Sequence, residues 1–238
     1  MKRMKILLVA CVMAMVLMAC VNDAEYVVLD DAVVYSHWTF SFGTVRDTIA
    51  GADPATFVQV KSWLGHDSAH VFYERDLVPG VDVASLEAVH KPLFRDKNDY
   101  YFKTKPMHVV DVESFEIIKW SYGSFWAKDS RYAYFDDYRF EADLPTFKVK
   151  SKGYAKDKYY VYFFGGHIIP DADPSTFKPI GDSGYYRDKS HIWYCDVLLE
   201  DADYDTFEVD DFDSAHDKHG RFMAEKRDTI QSGYEITE

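Results

Sequence analysis

Carboxylates are the most numerous groups in this chain that could bind or react, with 40 Asp and Glu against 27 Lys and Arg. Asp171/Asp173, Asp201/Asp203/Asp205 and Asp210/Asp211/Asp213 set hard oxygen ligands close together, the raw material of a calcium site. None continues into an alternating Asp-x-Asp-x-Asp-Gly loop with a distant Glu, so capping or solvated carboxylates are the stronger reading and no metal is expected. His66/His70 and His216/His219 have spacings that metal ligands use, but only on a helix or with further ligands from elsewhere. His66 and His216 also stand where other copies of the same motif carry Arg95, Lys128, Lys156 and Arg187, and a position that accepts Lys or Arg is not a ligand position. Gly181-Asp182-Ser183-Gly184 lacks the Gly-x-Ser-x-Gly elbow, and there is no His-Glu-x-x-His, P-loop or dinucleotide fingerprint. A carboxylate pair about 5 to 9 Å apart would suit glycoside hydrolysis, but sequence carries no distances. The expectation is a chain with no catalytic residue and no cofactor.

The three cysteines separate by context. Lys2, Arg3 and Lys5 precede an uninterrupted apolar stretch from Ile6 to Leu17 that contains Cys11. That stretch is too short to span a bilayer and reads as an export signal. It closes on Leu17-Met18-Ala19-Cys20, which resembles the lipobox of bacterial lipoproteins. The resemblance implies cleavage before Cys20 and a diacylglycerol on its sulfur, with an amide-linked acyl chain in many bacteria. At about 0.8 kcal/mol per buried methylene, two or three chains anchor firmly where one is marginal. The lipid bilayer is thus an expected partner through acylated Cys20. Val21 rather than Asp after the cysteine resembles outer-membrane sorting in a Gram-negative cell. Cys195, in Ile192-Trp193-Tyr194-Cys195, is then left without a disulfide partner and reads as a small core hydrophobe.

Loss of residues 1–19 removes Lys2, Arg3 and Lys5 and takes the formal charge from -13 to about -16. Such a surface is a poor fit to nucleic acid or to lying flat on anionic lipid. With 47% hydrophobic and 17% aromatic residues, the chain is rich enough in core-forming side chains to be ordered.

The elements that must position these groups show themselves as an internal repeat. An Asp four residues before a large apolar residue recurs as Asp53…Phe57, Asp82…Leu86, Asp111…Phe115, Asp143…Phe147, Asp173…Phe177 and Asp203…Phe207, at spacings of 29, 29, 32, 30 and 30 residues. About ten residues after each comes a basic residue or His, an Asp, a short polar stretch and an aromatic run. Examples are Arg95-Asp96-Lys97-Asn98-Asp99-Tyr100-Tyr101-Phe102 and Lys156-Asp157-Lys158-Tyr159-Tyr160-Val161-Tyr162-Phe163. The aspartates of this second motif are Asp67, Asp96, Asp129, Asp157, Asp188 and, in a degenerate copy, Asp217. The first motif predicts a helical turn capped by Asp, and the second an Asp-stabilised turn feeding a strand. In the copy at residues 154–183, Tyr160 to Phe164 read as a strand apolar on both alternating sets, Gly165-Gly166 as its reversal and His167-Ile168-Ile169 as the return. Each repeat is therefore expected to hold about three short strands and one helical turn, and to bury its faces only against its neighbours.

Asp96-Lys97-Asn98-Asp99-Tyr100-Tyr101 and Asp157-Lys158-Tyr159-Tyr160 resemble the signature of the DKNYY family of exported bacterial proteins. The resemblance implies a repeat protein, often a lipoprotein, with no catalytic residues to carry over. The expected organisation is a signal peptide at 1–19, a lipidated N-terminus with a worn first repeat at 20–52, the repeat domain at 53–223 and a tail at 224–238. The expected fold is all-β, repeats of about 30 residues stacked as an open meander or solenoid. A closed six-bladed, propeller-like ring is the second reading, since a propeller blade typically takes about 40 to 45 residues.

Tandem repeats and a lipid anchor together point to a binding or scaffolding module of the cell envelope. A protein partner is expected first, engaged through aromatics such as Trp38, Trp63, Trp120 and Trp126, with core packing as the competing reading for each. Envelope polysaccharide is the next candidate ligand, and a hydrolase the third reading.

Overall fold

The computed structural model describes residues 24–121, 123–150 and 153–228. The export signal, Cys20 and most of the predicted tail lie outside the described residues. The chain divides into two compact units, Met1–Val112 and Glu113–Glu238, parting inside the third Asp…Phe motif.

Among the described residues the architecture is all-β. Seven small antiparallel sheets follow one another, each a meander with its strands in chain order, and none closes into a barrel. The first has three strands, β1 (Glu25–Val28), β2 (Val33–Thr39) and β3 (Gly43–Thr48). It is the worn first copy, in which Asp30-Asp31 turns into β2 as later Asp motifs turn into their aromatic strands. Each of the six full repeats then forms a four-stranded sheet, typified by β4 (Val58–Lys61), β5 (Leu64–His66), β6 (Val71–Tyr73) and β7 (Asp76–Val78).

Four strands per repeat correct the expectation of three. They fit a period near 30 residues because in most sheets each is only two to four residues long, so a four-stranded unit does not need the length of a propeller blade. The additional strand comes from the segment between the Asp…Phe turn and the next Asp turn, which holds two strands, Lys178–Pro179 and Tyr185–Arg187 in the fifth copy. The expected return strand is the fourth, and in most copies it follows a two-residue hairpin loop, as in Tyr73↔Asp76, Phe102↔Lys105 and Tyr194↔Val197. In most copies the first loop residue is left-handed without being glycine: Glu74, Lys103, Asp136, Cys195 and Ala224, at φ 54, 58, 50, 54 and 55°. Left-handed backbone costs an ordinary residue roughly 1 kcal/mol. The same conformation aims each N–H at a carbonyl of the sheet, from Glu74 to Trp63 at 2.8 Å, Lys103 to Pro92 at 2.9 Å and Cys195 to Gly184 at 2.8 Å. The fourth copy instead has a three-residue loop, Phe164–Gly166, with Gly165 and Gly166 left-handed at φ 77 and 73°. The last sheet ends in Lys226–Arg227, so the final repeat reaches past residue 223.

The core is a series of layers between successive sheets within each unit. In strand Ile192–Tyr194, Trp193 points into the layer shared with the preceding sheet, beside Phe177 and Tyr186. Its neighbour Ile192 points into the layer shared with the following sheet, beside Phe207 and Phe222. Period-two alternation thus places every other residue on opposite buried faces, which is why both alternating sets are apolar. The Asp…Phe turn delivers Phe147, Phe177 and Phe207 into these layers. In the first unit Phe57 packs with Tyr26 and Phe72, and Leu86 joins Trp63, Phe94 and Tyr101.

Candidate functional site

The recurrent Asp of the turn motif is a staple between the two halves of each repeat. All six, Asp67, Asp96, Asp129, Asp157, Asp188 and Asp217, are buried. In five of them one carboxylate oxygen accepts backbone N–H groups two and three residues on, for Asp157 those of Tyr159 at 2.7 Å and Tyr160 at 2.8 Å. The other oxygen reaches back to the Asp…Phe turn. It accepts the N–H of Asp53, Asp82, Asp143, Asp173 and Asp203 at 3.1, 2.6, 2.7, 2.9 and 2.8 Å in the corresponding repeats. A tyrosine hydroxyl two residues into the strand closes the cluster in three copies, Tyr101 on Asp96 at 3.2 Å, Tyr134 on Asp129 at 2.6 Å and Tyr162 on Asp157 at 2.7 Å.

A reciprocal bond runs the other way in all six repeats. The backbone N–H just after the staple Asp donates to the Ser or Thr hydroxyl of the Asp…Phe turn: Ser68 to Thr56, Lys97 to Ser85, Ser130 to Ser114, Lys158 to Thr146, Lys189 to Thr176 and Lys218 to Thr206. Where that residue is Lys, its ammonium also meets the first Asp of the turn, Lys97 on Asp82 at 2.7 Å, Lys158 on Asp143 and Lys189 on Asp173 at 2.8 Å, and Lys218 on Asp203 at 2.5 Å. Those surface pairs depress the carboxyls of Asp82, Asp143, Asp173 and Asp203, chiefly through the lysine hydrogen bond.

Electrostatics of the staples run against catalysis by these groups. Burial alone would raise the Asp157 pKa, but the Asp143 N–H, the Tyr162 hydroxyl and the Tyr160 and Tyr159 amides outweigh it and hold the carboxyl below its ordinary range. Asp67 and Asp188 follow the same balance. The Tyr162 hydroxyl is raised in turn, by burial first and then by its bond to Asp157. A carboxylate whose lone pairs are occupied by backbone donors, and whose charge those donors stabilise, is a fold determinant.

The last repeat solves the same problem differently. Phe222 replaces the tyrosine, and Arg227 from the fourth strand donates to both Asp217 oxygens at 2.8 Å and to Asp201 at 2.7 Å. Arg227 is the first cause of the lowered Asp217 pKa. Nothing in the sequence marks Arg227 for this role, because it lies beyond the repeat motif.

The residues singled out for interaction separate into core and surface. Trp126 is 1% exposed and Trp63 7% exposed, which corrects their assignment as interface aromatics. Trp126 packs against Phe135, Phe140 and Phe147, and Trp63 against Tyr73 and Phe94. Trp126 is an inward-facing position of the second strand of its sheet, and Trp63 stands in the turn just before the second strand of its own. Trp120 is half-buried against Phe125, ring centroids 4.8 Å apart, and Trp38 is exposed. Other exposed apolar residues include Phe40 and Phe42 in the first unit and Tyr138, Ile168, Val197 and Phe212 in the second, with Tyr159 on the exposed corner of its turn.

The remaining candidates do not assemble. His66 Nδ1 lies against the Asp67 carbonyl, His216 against Asp210, and Asp201, Asp203 and Asp173 take Arg227, Lys218 and Lys189. Among the described residues no group of three or more His, Cys, Asp or Glu is gathered for a metal. Ser183 donates to the Ile180 carbonyl at 2.6 Å and accepts the Tyr185 N–H at 3.1 Å, a turn role. Cys195 lines a hollow of about 350 Å³ with Phe163, Phe164, Tyr186 and Phe212. Its thiol is pushed up by burial first, then by Asp196 and Glu225, which keeps it protonated.

The chain matches the DKNYY family over residues 10–105 and again over 103–197. No curated protein and no solved structure matches it. The two matches take in the staple aspartates from Asp67 to Asp188, the lysines that pair beside them and the tyrosines that close them, so the residues behind the signature are those that hold each repeat together. This chain belongs to the DKNYY family.

Proposed function

We propose that this protein is an exported lipoprotein, held at a membrane of the cell envelope by acylated Cys20, whose repeats act without catalysis as a binding or scaffolding module for another envelope protein. The observation that carries the binding role is a set of apolar side chains on the fourth strands of successive sheets in the second unit. Tyr138 is 51% exposed, Ile168 49% and Val197 46%, although all three lie in strands that already pair on one side. Tyr138 also stacks on His167 of the next sheet, centroids 6.1 Å apart, which extends the feature from one repeat to the next.

Among the described residues no fifth strand pairs with a fourth, so the fourth combines an open backbone edge with an apolar row, the pair of features that strand-adding partners use. The lipobox-like Leu17-Met18-Ala19-Cys20 and the basic and apolar segments before it support the anchor. The test is photocrosslinking in intact cells from position 138 or 197, with position 158 on the turn side as control. One dominant protein adduct from 138 and 197 is the expected result. Adducts to glycan alone would replace the protein partner with envelope polysaccharide.

A further inference from the structure

The β2–β3 hairpin ends in an apolar tip that no core layer uses. Phe40 is 95% exposed, Phe42 82% and Trp38 48%, with Trp38 and Phe40 edge to face at 5.3 Å. The tip is a built turn, in which Phe42 N–H donates to Thr39 Oγ1 at 3.2 Å and Gly43 takes φ 68°. Two phenylalanines and a tryptophan held out on an ordered turn lose burial that any core would have rewarded. From Ser36 to Arg46 the hairpin carries no Asp or Glu, in a chain with 40 of them.

Strand register decides where this tip lies relative to the N-terminus. β1 runs antiparallel to β2 with Glu25 opposite Ser36 and Val28 opposite Val33. Followed from Val28 back to Glu25, the chain therefore travels alongside β2 in the direction of Thr39 and the tip. Cys20 is five residues before Glu25, a reach of at most about 18 Å at ~3.6 Å per residue. Phe40 is four residues beyond Ser36, about 13 Å along a strand rising ~3.3 Å per residue. Cys20 and the aromatic tip are thus within reach of one plane at one end of this sheet.

We propose that this tip is a second membrane contact: Trp38, Phe40 and Phe42 enter the boundary between headgroups and acyl chains beside lipidated Cys20, and fix how the first sheet meets the bilayer. The proposal rests on the reading of Cys20 as the anchor. Tryptophan and phenylalanine suit that boundary, where an apolar ring is buried and an indole N–H stays hydrated. On a chain of net charge about -16 after signal removal, a carboxylate-free tip can approach an anionic bilayer without adding like-charge repulsion of its own.

The test uses Trp38 as its own reporter. Lipidated protein is reconstituted into phosphatidylcholine vesicles with and without brominated acyl chains, and the emission difference from a Trp38→Phe variant isolates the Trp38 signal. The expected result is quenching of that signal by bromolipid together with protection from aqueous acrylamide, both lost in a Phe40→Ser/Phe42→Ser variant. Partitioning of a chain whose residues 1–20 are replaced by a His tag onto the same vesicles, without nickel-chelating lipid, should weaken roughly tenfold for each Phe removed. A parallel sample with residues 1–20 replaced by a His tag, bound to nickel-chelating lipid, supplies the anchor independently of acylation. Absence of lipid on Cys20 by mass spectrometry, with Trp38 quenched in the tagged sample, rejects the anchor and keeps the tip. Unquenched, acrylamide-accessible Trp38 in both samples overturns the tip, as does a photocrosslink from position 40 in cells that captures protein and no lipid.

Discussion

Replacing the staple carboxylate of the fourth repeat isolates what the family signature contributes. Asp157 accepts four donors: the Tyr159 and Tyr160 amides, the Asp143 amide at 2.7 Å and the Tyr162 hydroxyl at 2.7 Å. In Asp157→Asn the amide carbonyl can keep the two turn amides, while its NH2 faces two donors. The Tyr162 hydroxyl can rotate and accept, but the Asp143 N–H loses its acceptor at a cost of about 1 to 3 kcal/mol. Asp157→Ala also strands the tyrosine hydroxyl and both turn amides, two of the four near solvent, for a total of about 3 to 5 kcal/mol. That is a large share of the roughly 5 to 15 kcal/mol that holds a domain folded. Lys158→Ala, by contrast, removes only an exposed ion pair and an exposed contact over the Tyr159 ring, and should change little. Urea unfolding gives the global figure, and hydrogen exchange at Tyr159, Tyr160 and Asp143 shows whether the loss begins in this repeat. A cost below about 1 kcal/mol for Asp157→Ala, where buried donors predict several times more, would refute the staple. So would equality with Lys158→Ala.

Acid should destabilise the protein through the same groups. The folded-state pKa values of Asp67, Asp157, Asp188 and Asp217 are lowered, so their stabilisation is complete above the unfolded value of about 3.9 and is lost as pH falls below it through the folded values. Unfolding free energy against pH should show that loss, smaller in Asp157→Asn; a stability independent of pH from 5 to about 2.5 would contradict it. Arg227→Met should cost about 2 to 3 kcal/mol by leaving the buried Asp217 carboxylate without its bidentate donor, read as early exchange in the last sheet. Trp126→Ala should cost about 3 to 5 kcal/mol in thermal or urea unfolding, as expected of a ring filling a core layer. Cys195, with its thiol pushed up by burial and two acidic neighbours, should react with iodoacetamide at pH 7.5 more slowly than a free cysteine; alkylation at the rate of the free amino acid would contradict that.

The two motifs were legible because each names a hydrogen-bonding requirement that few residues meet. Only Asp offers two oxygens at the reach needed to bind its own turn and the preceding one, and only Ser or Thr returns the bond from Thr146 or Ser85. The anchor phenylalanines were equally legible, since the turn before Phe177 or Phe207 can place its ring only inward. The return strand was legible in the fourth copy, where Gly165-Gly166 marks the reversal, but not in others, whose hairpins are set by left-handed Glu74, Lys103, Cys195 and Ala224, none of them a strong turn former. The tryptophans were opaque for another reason: apolar residues fill both alternating sets of these strands, so periodicity cannot tell Trp126, facing a layer, from a ring that faces solvent. Exposed Phe40 and Phe42 were hidden among 17 phenylalanines, and only the hairpin register brings them to the end of the sheet from which the chain leads back to Cys20.

The binding role is tested most directly by crosslinking in the native envelope. A photoreactive residue at position 138 in the otherwise unaltered, full-length protein, activated in intact cells and followed by mass spectrometry of the adducts, should capture one dominant envelope protein. The same adduct should arise from position 197 and disappear in a Tyr138→Ser/Ile168→Ser variant that folds normally. Capture of glycan alone, or of nothing above the position 158 control, would contradict a protein-binding module and leave the exposed fourth strands without the role assigned to them.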